Sequence, residues 1–403
     1  MEATTRQQRQ LLFPVLLVVF LAALDLTVVA PILPNVINDL GISVVDADRY
    51  SWIVLSYLVA YTVTVPITGR ISDFIGRIPV FSAAMALFLA GSVVVALSDS
   101  LGPMIAGRTL QGLGGGAMLP VSMALVADVV PISRRAYTLG LVAAVDTFGW
   151  VLGPVYGAGV FALFGSWQAI FWLNVPLGIA AALVLYLTRA RSAPRPRAAR
   201  PSMLPAVIGV LALLAFCLAL SSGGEAGVSG GQETQRIGSS ANPLGAYRWP
   251  LLGLSFIGFA VFAWLERRAV SPVLPRELVR QRVFQIAGIA NALVGAALIA
   301  AMVNGPLAIA LLEDEDQAAT STAMLLGAFT LAMTAGAVIG GRLVNRIGPR
   351  VTAVFGLTIA AAGFGLISTW SHDLQLTWMS ATMIVPGLGL GIVIAPILSL
   401  IHI

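Results

Sequence analysis

Twelve apolar runs, each close to the length of a membrane-crossing helix, dominate this 403-residue chain. A helix rises about 1.5 Å per residue, so roughly 20 residues cross a hydrocarbon layer about 30 Å thick. A soluble core does not need runs of this length. The sequence therefore predicts an all-α polytopic membrane protein with spans near residues 11–36, 51–68, 78–97, 103–127, 137–163, 168–188, 203–220, 249–265, 284–312, 321–340, 351–369 and 379–397.

The arginines predict how the chain is oriented. All 23 basic residues are Arg. With the N-terminus inside, 19 of them lie at the N-terminus or in the even-numbered connections, three lie in the odd-numbered connections, and Arg108 lies in the fourth span. Cytoplasmic loops carry such an excess. We therefore expect a multi-pass protein of the cytoplasmic (inner) membrane with a cytosolic N-terminus, whose positive charge meets the lipid bilayer and not nucleic acid.

The chain is poor in the side chains that enzymes use. It contains no Lys, one Cys and two His. A Walker-type phosphate loop and a Schiff base each need a Lys, so neither is formed by this chain. His372 and His402 belong to no cluster of His, Cys and carboxylates with metal-ligand spacing. We expect no enzyme activity, no metal and no cofactor.

Two pairs of similar segments indicate an internal repeat. "GRISDFIGR" at 69–77 returns as "GRLVNRIGP" at 341–349, and "GLGGGAMLP" at 112–120 resembles "GLGLGIVIAP" at 387–396. The members of both pairs are separated by nearly the same length of chain. Both members of the first pair fall in short connections on the same side of the membrane. The two halves are therefore expected to repeat in parallel orientation.

Composition also predicts the domain boundaries. The predicted segments are an N-terminal six-helix bundle (1–188), a cytosolic Pro/Arg linker (189–202), two inserted spans with a flexible outer loop at 221–247 (203–282), and a four-helix C-terminal bundle (283–397). The last six residues, "LSLIHI" at 398–403, match the translation of a transposase sequencing adapter. We hypothesise that they are an artefact of the gene sequence.

Several ordered motifs resemble the major facilitator superfamily, and more narrowly its fourteen-helix drug:proton antiporter branch of the QacA/EmrB type. The family pattern G-x-L-x-D-x-x-G-R matches residues 69–77, R-x-x-Q-G matches 108–112, and G-P-x-x-G matches 153–157. "LDLTVVAPILP" in the first span and "WQAIFWLNVPLG" at the sixth resemble two further patterns of this branch. The resemblance implies two pseudo-repeated six-helix bundles with two extra helices between them, and a truncated C-terminal bundle.

Three charged residues lie within spans, where charge is costly. They are Asp25, Arg108 and Asp146. An ionised carboxylate in hydrocarbon costs at least about 2.5 kcal/mol, so each should face a cavity or a partner. We predict that Asp25 and Asp146 couple protons to transport and that Arg108 tunes the pKa of a carboxylate. The alternative is a permanent Asp–Arg pair that only holds helices together.

The resemblance also implies roles for other residues. A conformational latch at the inner face would use Gly69, Asp73, Gly76 and Arg77. The antiporter motif of the fifth span would use Gly149, Gly153, Pro154 and Gly157. Candidate substrate-cavity residues are Gln111, Trp150 and Tyr156.

The expected function is proton-coupled export of amphipathic small molecules, or multidrug efflux, by alternating access. The proton gradient would supply the energy. "WIVLSYLVAY" and "VLGPVYG" also resemble mycobacterial-type lipid exporters that partner a periplasmic lipoprotein, so export of lipids or glycolipids is the alternative. A passive pore and a membrane-embedded enzyme are the alternatives from other classes. Titratable carboxylates within spans favour coupling over a pore.

Overall fold

The computed structural model describes residues 5–41, 52–189, 203–221, 247–269, 272, 276–312, 315–370 and 375–402. Every element in these ranges is helical. The predicted linker and outer loop lie almost entirely outside them. The helices are α1 (Thr5–Thr27), α2 (Val29–Asp39), α3 (Trp52–Ile75), α4 (Arg77–Ala96), α5 (Leu101–Val129), α6 (Ile132–Phe164), α7 (Gln168–Arg189), α8 (Met203–Ser221), α9 (Arg248–Arg268), α10 (Arg276–Arg280), α11 (Arg282–Leu312), α12 (Glu315–Ile347), α13 (Pro349–Ile367) and α14 (Leu376–His402).

Each of the twelve predicted apolar runs coincides with a helix, and the first run comprises both α1 and α2. In the described ranges, eight helices are long and apolar enough to cross a membrane. A ninth counts if the two parts of α6, Thr138–Trp150 and Val155–Phe164, form one span. Leu12–Thr27, Leu204–Leu220 and Phe284–Leu298 are shorter apolar helices. The prediction of an all-α, multi-pass membrane protein is confirmed.

The chain packs into two compact units. The first unit contains Met1–Val130 and Tyr156–Pro275. Within it, α5 packs against α3, α4 and α1, while α7 packs against α4 and α1. Helices α8 and α9, the predicted inserted pair, pack on each other, and α8 also contacts α3. The predicted domain boundaries at 188, 202 and 282 stay predictions.

The second unit contains Pro131–Val155 and Arg276–Ile403. Helix α14 packs against α12, α13 and α11. The core of this unit is apolar, because Leu325 and Phe329 of α12 and Met383 of α14 are fully buried among aliphatic neighbours. Helix α6 is shared, since its residues up to Val155 belong to this unit and those from Tyr156 onward belong to the first.

The internal repeat is visible in two matching turns. Helix α3 ends at Ile75 and α4 begins at Arg77, with Gly76 between them at φ 113°. Helix α12 ends at Ile347 and α13 begins at Pro349, with Gly348 between them at φ 84°. Side chains make such φ values unfavourable, so glycine is needed at both positions. The two glycines occupy the same place in the repeated segments 69–77 and 341–349, as the sequence repeat predicts.

Helix packing inside each unit repeats in the same way. A Cβ atom added to Gly112 of α5 would overlap the backbone oxygen of Tyr57 on α3. One added to Gly387 of α14 would overlap the backbone oxygen of Phe329 on α12. Glycine lets the helix backbones approach this closely. The next turn repeats the contacts, with Gly116 against Tyr61 and Gly391 against Met333.

Candidate functional site

A buried ion pair joins α1 to α5. Arg108 Nη1 lies 2.6 Å from Asp25 Oδ2, and neither side chain has any exposed surface. The guanidinium also donates to two backbone carbonyls, from Nε to Ile53 at 3.2 Å and from Nη2 to Asp25 at 3.4 Å. Each buried charge thus has a partner of opposite charge and further hydrogen bonds. A buried pair offsets its desolvation only with such geometry.

The second oxygen of the Asp25 carboxylate is held by two amides. Gln111 Nε2 donates to Oδ1 at 3.0 Å, and Asn174 Nδ2 donates to the same oxygen at 3.1 Å. Ser92 Oγ accepts from both amides, at 2.9 and 3.4 Å. We call Asp25, Arg108, Gln111, Asn174 and Ser92 the Asp25 network. It brings together side chains from α1, α4, α5 and α7 within the first unit.

Tyr57 supports the network from α3. Its ring lies under the guanidinium of Arg108, with 4.3 Å between the ring centre and Arg108 Cζ. Its hydroxyl donates to the Ala22 carbonyl of α1 at 2.9 Å. An aromatic face attracts a desolvated cation. Tyr57 therefore stabilises the cation and fixes the spacing between α1 and α3.

The Asp25 network contains three of the residues that the sequence singled out. Asp25 and Arg108 face each other, and Gln111 Oε1 accepts from Arg108 Nη1 at 3.0 Å. Gln111 is fully buried and hydrogen-bonded within the network. Its predicted place in a substrate cavity stays a prediction. Sequence reasoning missed the part played by Asn174, although this residue lies in the quoted "WQAIFWLNVPLG" segment.

The remaining site residues of α6 are divided between the two units. Asp146, Gly149, Trp150 and Gly153 belong to the second unit, whereas Tyr156 and Gly157 belong to the first. The glycines are buried, and Asp146 is partly buried. Tyr156 lies within electrostatic range of the Asp25 carboxylate. The side chain of Pro154 lies outside the described residues. The coupling, antiporter and cavity roles predicted for these residues stay predictions.

The four residues of the predicted latch lie together around the α3–α4 turn. Arg77 forms an ion pair with Asp73 and donates from Nη1 to the Gly69 carbonyl at 3.2 Å. The positive φ of Gly76 turns the chain so that Arg77 begins α4 beside the last turns of α3. The Arg77 side chain thus bridges the two helices.

The latch has two further members that the sequence did not reveal. Arg77 Nη1 donates to Ser72 Oγ at 2.5 Å, and Nε lies 3.4 Å from Asp128 Oδ2 at the end of α5. Arg77 therefore lies between two carboxylates on different helices. The exposed fractions of the Arg77, Asp73 and Asp128 side chains are 21, 32 and 23%, so water reaches all three. Their role in conformational change stays a prediction.

At the positions that the repeat relates to Tyr57 and Arg108, the second unit has apolar side chains. Extending the two pairs of repeated segments toward the N-terminus relates Tyr57 to Phe329 and Arg108 to Met383. Both Phe329 and Met383 are fully buried in the apolar core of that unit. The repeated helices thus keep their close backbone contacts, while the residue related to Arg108 is the apolar Met383.

A polar cavity of about 520 Å³ opens at the end of α2 and the α6–α7 turn. Asp39 Oδ2 accepts hydrogen bonds from Trp167 Nε1 at 2.9 Å and from Gln168 Nε2 at 3.0 Å. Asn35 and Asn38 complete its polar wall. These bonds join α2 to the beginning of α7, so Asp39 holds one end of the first unit together.

Comparison with known proteins identifies relatives over nearly the whole chain. The Major Facilitator Superfamily model matches residues 15–402. A triacylglyceride transporter of Mycolicibacterium hassiacum is 37% identical over 399 residues, covering 95% of this chain and 71% of the relative. The triacylglyceride transporter of Mycobacterium tuberculosis H37Rv is 37% identical over 398 residues, covering 95% of this chain and 74% of the relative. The chain thus spans less than three quarters of the length of either relative.

Solved structures share the fold at low sequence identity. The proton:xylose symporter XylE, bound to 6-bromo-6-deoxy-D-glucose, has a TM-score of 0.63 and 16% identity over 99% of this chain and 82% of that one. A partially occluded inward-open structure of XylE from E. coli has a TM-score of 0.55 and 14% identity, covering 99% and 85%. The family match and the homologues named as transporters identify the chain as a transporter and not an enzyme. It belongs to the Major Facilitator Superfamily.

Proposed function

We propose that this transporter exports neutral acyl lipids of the triacylglycerol type across the inner membrane, with a cytosolic N-terminus. The observation that carries the proposal is its 37% identity, over 95% of the chain, to transporters named for triacylglyceride. Such relatives align along both units, so the likeness is not confined to one motif. A periplasmic lipoprotein is the proposed acceptor of the exported lipid.

Proton coupling through Asp25 is the proposed source of energy. One proton that crosses about 100 mV supplies roughly 2.3 kcal/mol. In the described state the Asp25 carboxylate accepts one charged and two neutral hydrogen bonds, which suits its ionised form. Protonation removes the charge that holds Arg108. The pair then weakens, and helices α1 and α5 are free to shift relative to each other.

The latch provides a second contact that changes during the proposed cycle. Arg77 joins α3 and α4 to the end of α5 through Asp73 and Asp128. A transporter that alternates between two open states has to rearrange contacts at the helix ends of each bundle. We infer that this partly exposed ion-pair cluster stabilises one of the two states, and that its carboxylates set the rate of leaving it.

Multidrug efflux by proton exchange is the second candidate function. It is favoured by the ordered motifs shared with the QacA/EmrB type, among them the R-x-x-Q-G segment that contributes Arg108 and Gln111 to the Asp25 network. The same coupling residues would serve either substrate. The two functions therefore differ in what is carried and not in how protons are used.

Transport by the purified protein in inside-out proteoliposomes tests both functions. A fluorescent triacylglycerol is supplied in the outer leaflet, and its protection from an added lipase is followed with and without an acidic lumen. Parallel vesicles receive ethidium, and its uptake is followed by fluorescence. Gradient-dependent lipid protection that is lost in Asp25→Asn supports lipid export. Asp99→Asn is the matched control, because Asp99 is exposed and lies outside the network.

Each other result has a distinct meaning. Gradient-dependent uptake of ethidium alone would support the drug exchanger and reject lipid export. Flux of either probe that is independent of the gradient would indicate a pore. Lipid protection that persists in Asp25→Asn would support lipid as the substrate but exclude Asp25 from the coupling step.

A further inference from the structure

Asn174 occupies an unusual place among the buried polar groups of the first unit. It is 1% exposed and lies in the N-terminal third of the apolar helix α7. Its amide nitrogen donates to Asp25 Oδ1 at 3.1 Å and to Ser92 Oγ at 3.4 Å. The amide oxygen Oδ1, in contrast, is buried and has no hydrogen-bond partner among the described residues.

The neighbouring amide of Gln111 is bonded at both ends. Its nitrogen donates to Asp25 and Ser92, and its oxygen accepts from Arg108. Rotating the Gln111 amide by half a turn would place its NH₂ group against the guanidinium, so two donors would meet. Rotating the Asn174 amide moves its nitrogen away from Asp25 and Ser92 but breaks no bond at its oxygen. Asn174 is therefore the one amide of the Asp25 network whose orientation can reverse without opposing Arg108.

The two protonation states of Asp25 need opposite partners. An ionised carboxylate accepts hydrogen bonds at both oxygens, whereas a protonated carboxyl carries one O–H donor that needs an acceptor. Buried donors and acceptors without partners are costly. The nitrogen of Asn174 satisfies the first state, and its oxygen, after rotation, would satisfy the second.

We propose that Asn174 is a positioning residue for proton coupling. Its NH₂ group donates a hydrogen bond to Asp25 when that carboxyl is ionised, and its oxygen accepts a hydrogen bond from the O–H of Asp25 when the carboxyl is protonated. This inference rests on the proposed role of Asp25 as the proton carrier. No bond to hydrogen is broken at Asn174, so the amide carries no proton itself. It provides a hydrogen-bond partner for Asp25 in both protonation states and so lowers the free energy needed to pass from one state to the other.

The other groups that face Asp25 leave this role to Asn174. Arg108 on α5 is the charged group in contact with it. On α3 the Tyr57 hydroxyl donates to the Ala22 carbonyl, and on α6 Tyr156 lies within electrostatic range. On α4 Ser92 bonds to the two amides. These groups remain when Asn174 is replaced, so a change in the titration of Asp25 can be assigned to the lost amide.

Infrared difference spectroscopy of the purified protein in lipid nanodiscs, recorded across a pH series, tests the proposal without any substrate. The C=O band of protonated Asp25 is assigned as the band that disappears in Asp25→Asn. In Asn174→Ala the ionised form loses a charge-assisted hydrogen bond, whereas the protonated form loses a weaker neutral one. We therefore expect the midpoint to move to higher pH by about half a unit to one unit, which is about a three- to tenfold gain in proton affinity. The band should also move to higher wavenumber, because the protonated form loses its acceptor.

Control variants separate this role from general damage. Ser122→Ala removes a buried hydroxyl without a partner in the described residues of the same unit, so its Asp25 band should match that of the wild type. Asn174→Gln retains both halves of the amide and should recover part of each shift. If Asn174→Ala is unstable, Asn174→Ser, which keeps a small donor and acceptor, replaces it and should show smaller shifts in the same directions.

The results that would contradict the role of Asn174 can be told apart from those that would contradict proton coupling through Asp25. An unchanged midpoint in Asn174→Ala would overturn the donor role, because losing a charge-assisted hydrogen bond outweighs losing a neutral one. An unchanged band position would overturn the acceptor role. Either one removes the two-state amide. If no band of wild-type Asp25 titrates, proton coupling through Asp25 fails, and the inference fails with it. If Asp25 titrates alike in all the variants, only the inference about Asn174 fails.

Discussion

Tyr57 and Arg108 form a stacked pair inside the first unit, with 4.3 Å between the ring centre and the guanidinium carbon. The cation therefore lies between an aromatic face on one side and the Asp25 carboxylate on another. The Tyr57 hydroxyl donates to the Ala22 carbonyl of α1, the helix that also carries Asp25. The ring on α3 and the carboxylate on α1 are therefore held at a fixed spacing. The placement of Arg108 is thus linked to the packing of α1 on α3.

The two functions of Tyr57 can be separated by substitution. We expect Tyr57→Phe to lower the free energy of unfolding by about 1 kcal/mol, because the hydrogen bond to the Ala22 carbonyl is lost while the ring is kept. Tyr57→Leu should lose about 1–2 kcal/mol more, because the ring under the cation is removed too. Thermal unfolding in detergent measures both changes. Tyr186→Phe, at a side chain that is 69% exposed, is the control and should have no effect. Equal losses in both Tyr57 variants would contradict the stacking contribution.

The buried ion pair leads to a prediction about single and double variants. Asp25→Asn should abolish uphill transport and should cost about 3–5 kcal/mol of stability, because Arg108 stays buried without a counter-ion. Adding Arg108→Gln should recover much of the stability, since no buried charge is left, while uphill transport remains absent. Unfolding measurements and the lipase-protection assay are made on the same preparations. Uphill transport by Asp25→Asn would disprove the coupling role.

Removal of either carboxylate from the latch should change the transport rate more than substrate binding. Asp73→Ala and Asp128→Asn each leave Arg77 with one of its two carboxylate partners. We expect turnover to fall severalfold while the substrate concentration at half-maximal rate changes little. Asp99→Asn is again the control. An unchanged rate in both latch variants would show that the cluster is only a solvated set of surface ion pairs, which contribute little.

Close backbone packing predicts two equivalent sensitive glycines. Gly112→Ala and Gly387→Ala should each lower stability by about 1–3 kcal/mol, because the added methyl group overlaps a carbonyl of the adjacent helix. Gly102→Ala should be neutral or slightly stabilising, since no atom lies within 4 Å of its new Cβ. Melting temperatures of the three variants measure the difference. Similar behaviour of all three would argue against the packing shown for α5 and α14.

The fold could be predicted well from the sequence, because a membrane-spanning helix is recognised from its length and hydropathy. Length and hydropathy located all twelve apolar runs, and the prediction of the superfamily is confirmed by the match over residues 15–402. The glycine repeat also predicted the two matching turns at Gly76 and Gly348. The membrane orientation inferred from arginine placement stays a prediction.

The site was predicted less completely, for a physical reason. The cost of burying a charge marks Asp25 and Arg108 in any apolar run. A neutral amide or hydroxyl carries a much smaller cost, so Ser92 and Asn174 do not stand out among their neighbours, and the direction in which they point depends on packing. Asp128 lies at a helix end, where a solvated charge is ordinary. Its contact with Arg77 depends on how α5 ends beside the α3–α4 turn.

The apolar residues at the positions related to Tyr57 and Arg108 have an evolutionary consequence. After a duplication, both copies kept glycines at their helix crossings, whereas the buried Arg108 of one copy corresponds to Met383 in the other. Phe329 and Met383 are therefore compatible with the same kind of helix crossing as Tyr57 and Arg108. In a duplicated bundle of this kind, the glycine contacts can thus be conserved between the copies while a buried charge in one copy is matched by an apolar side chain in the other.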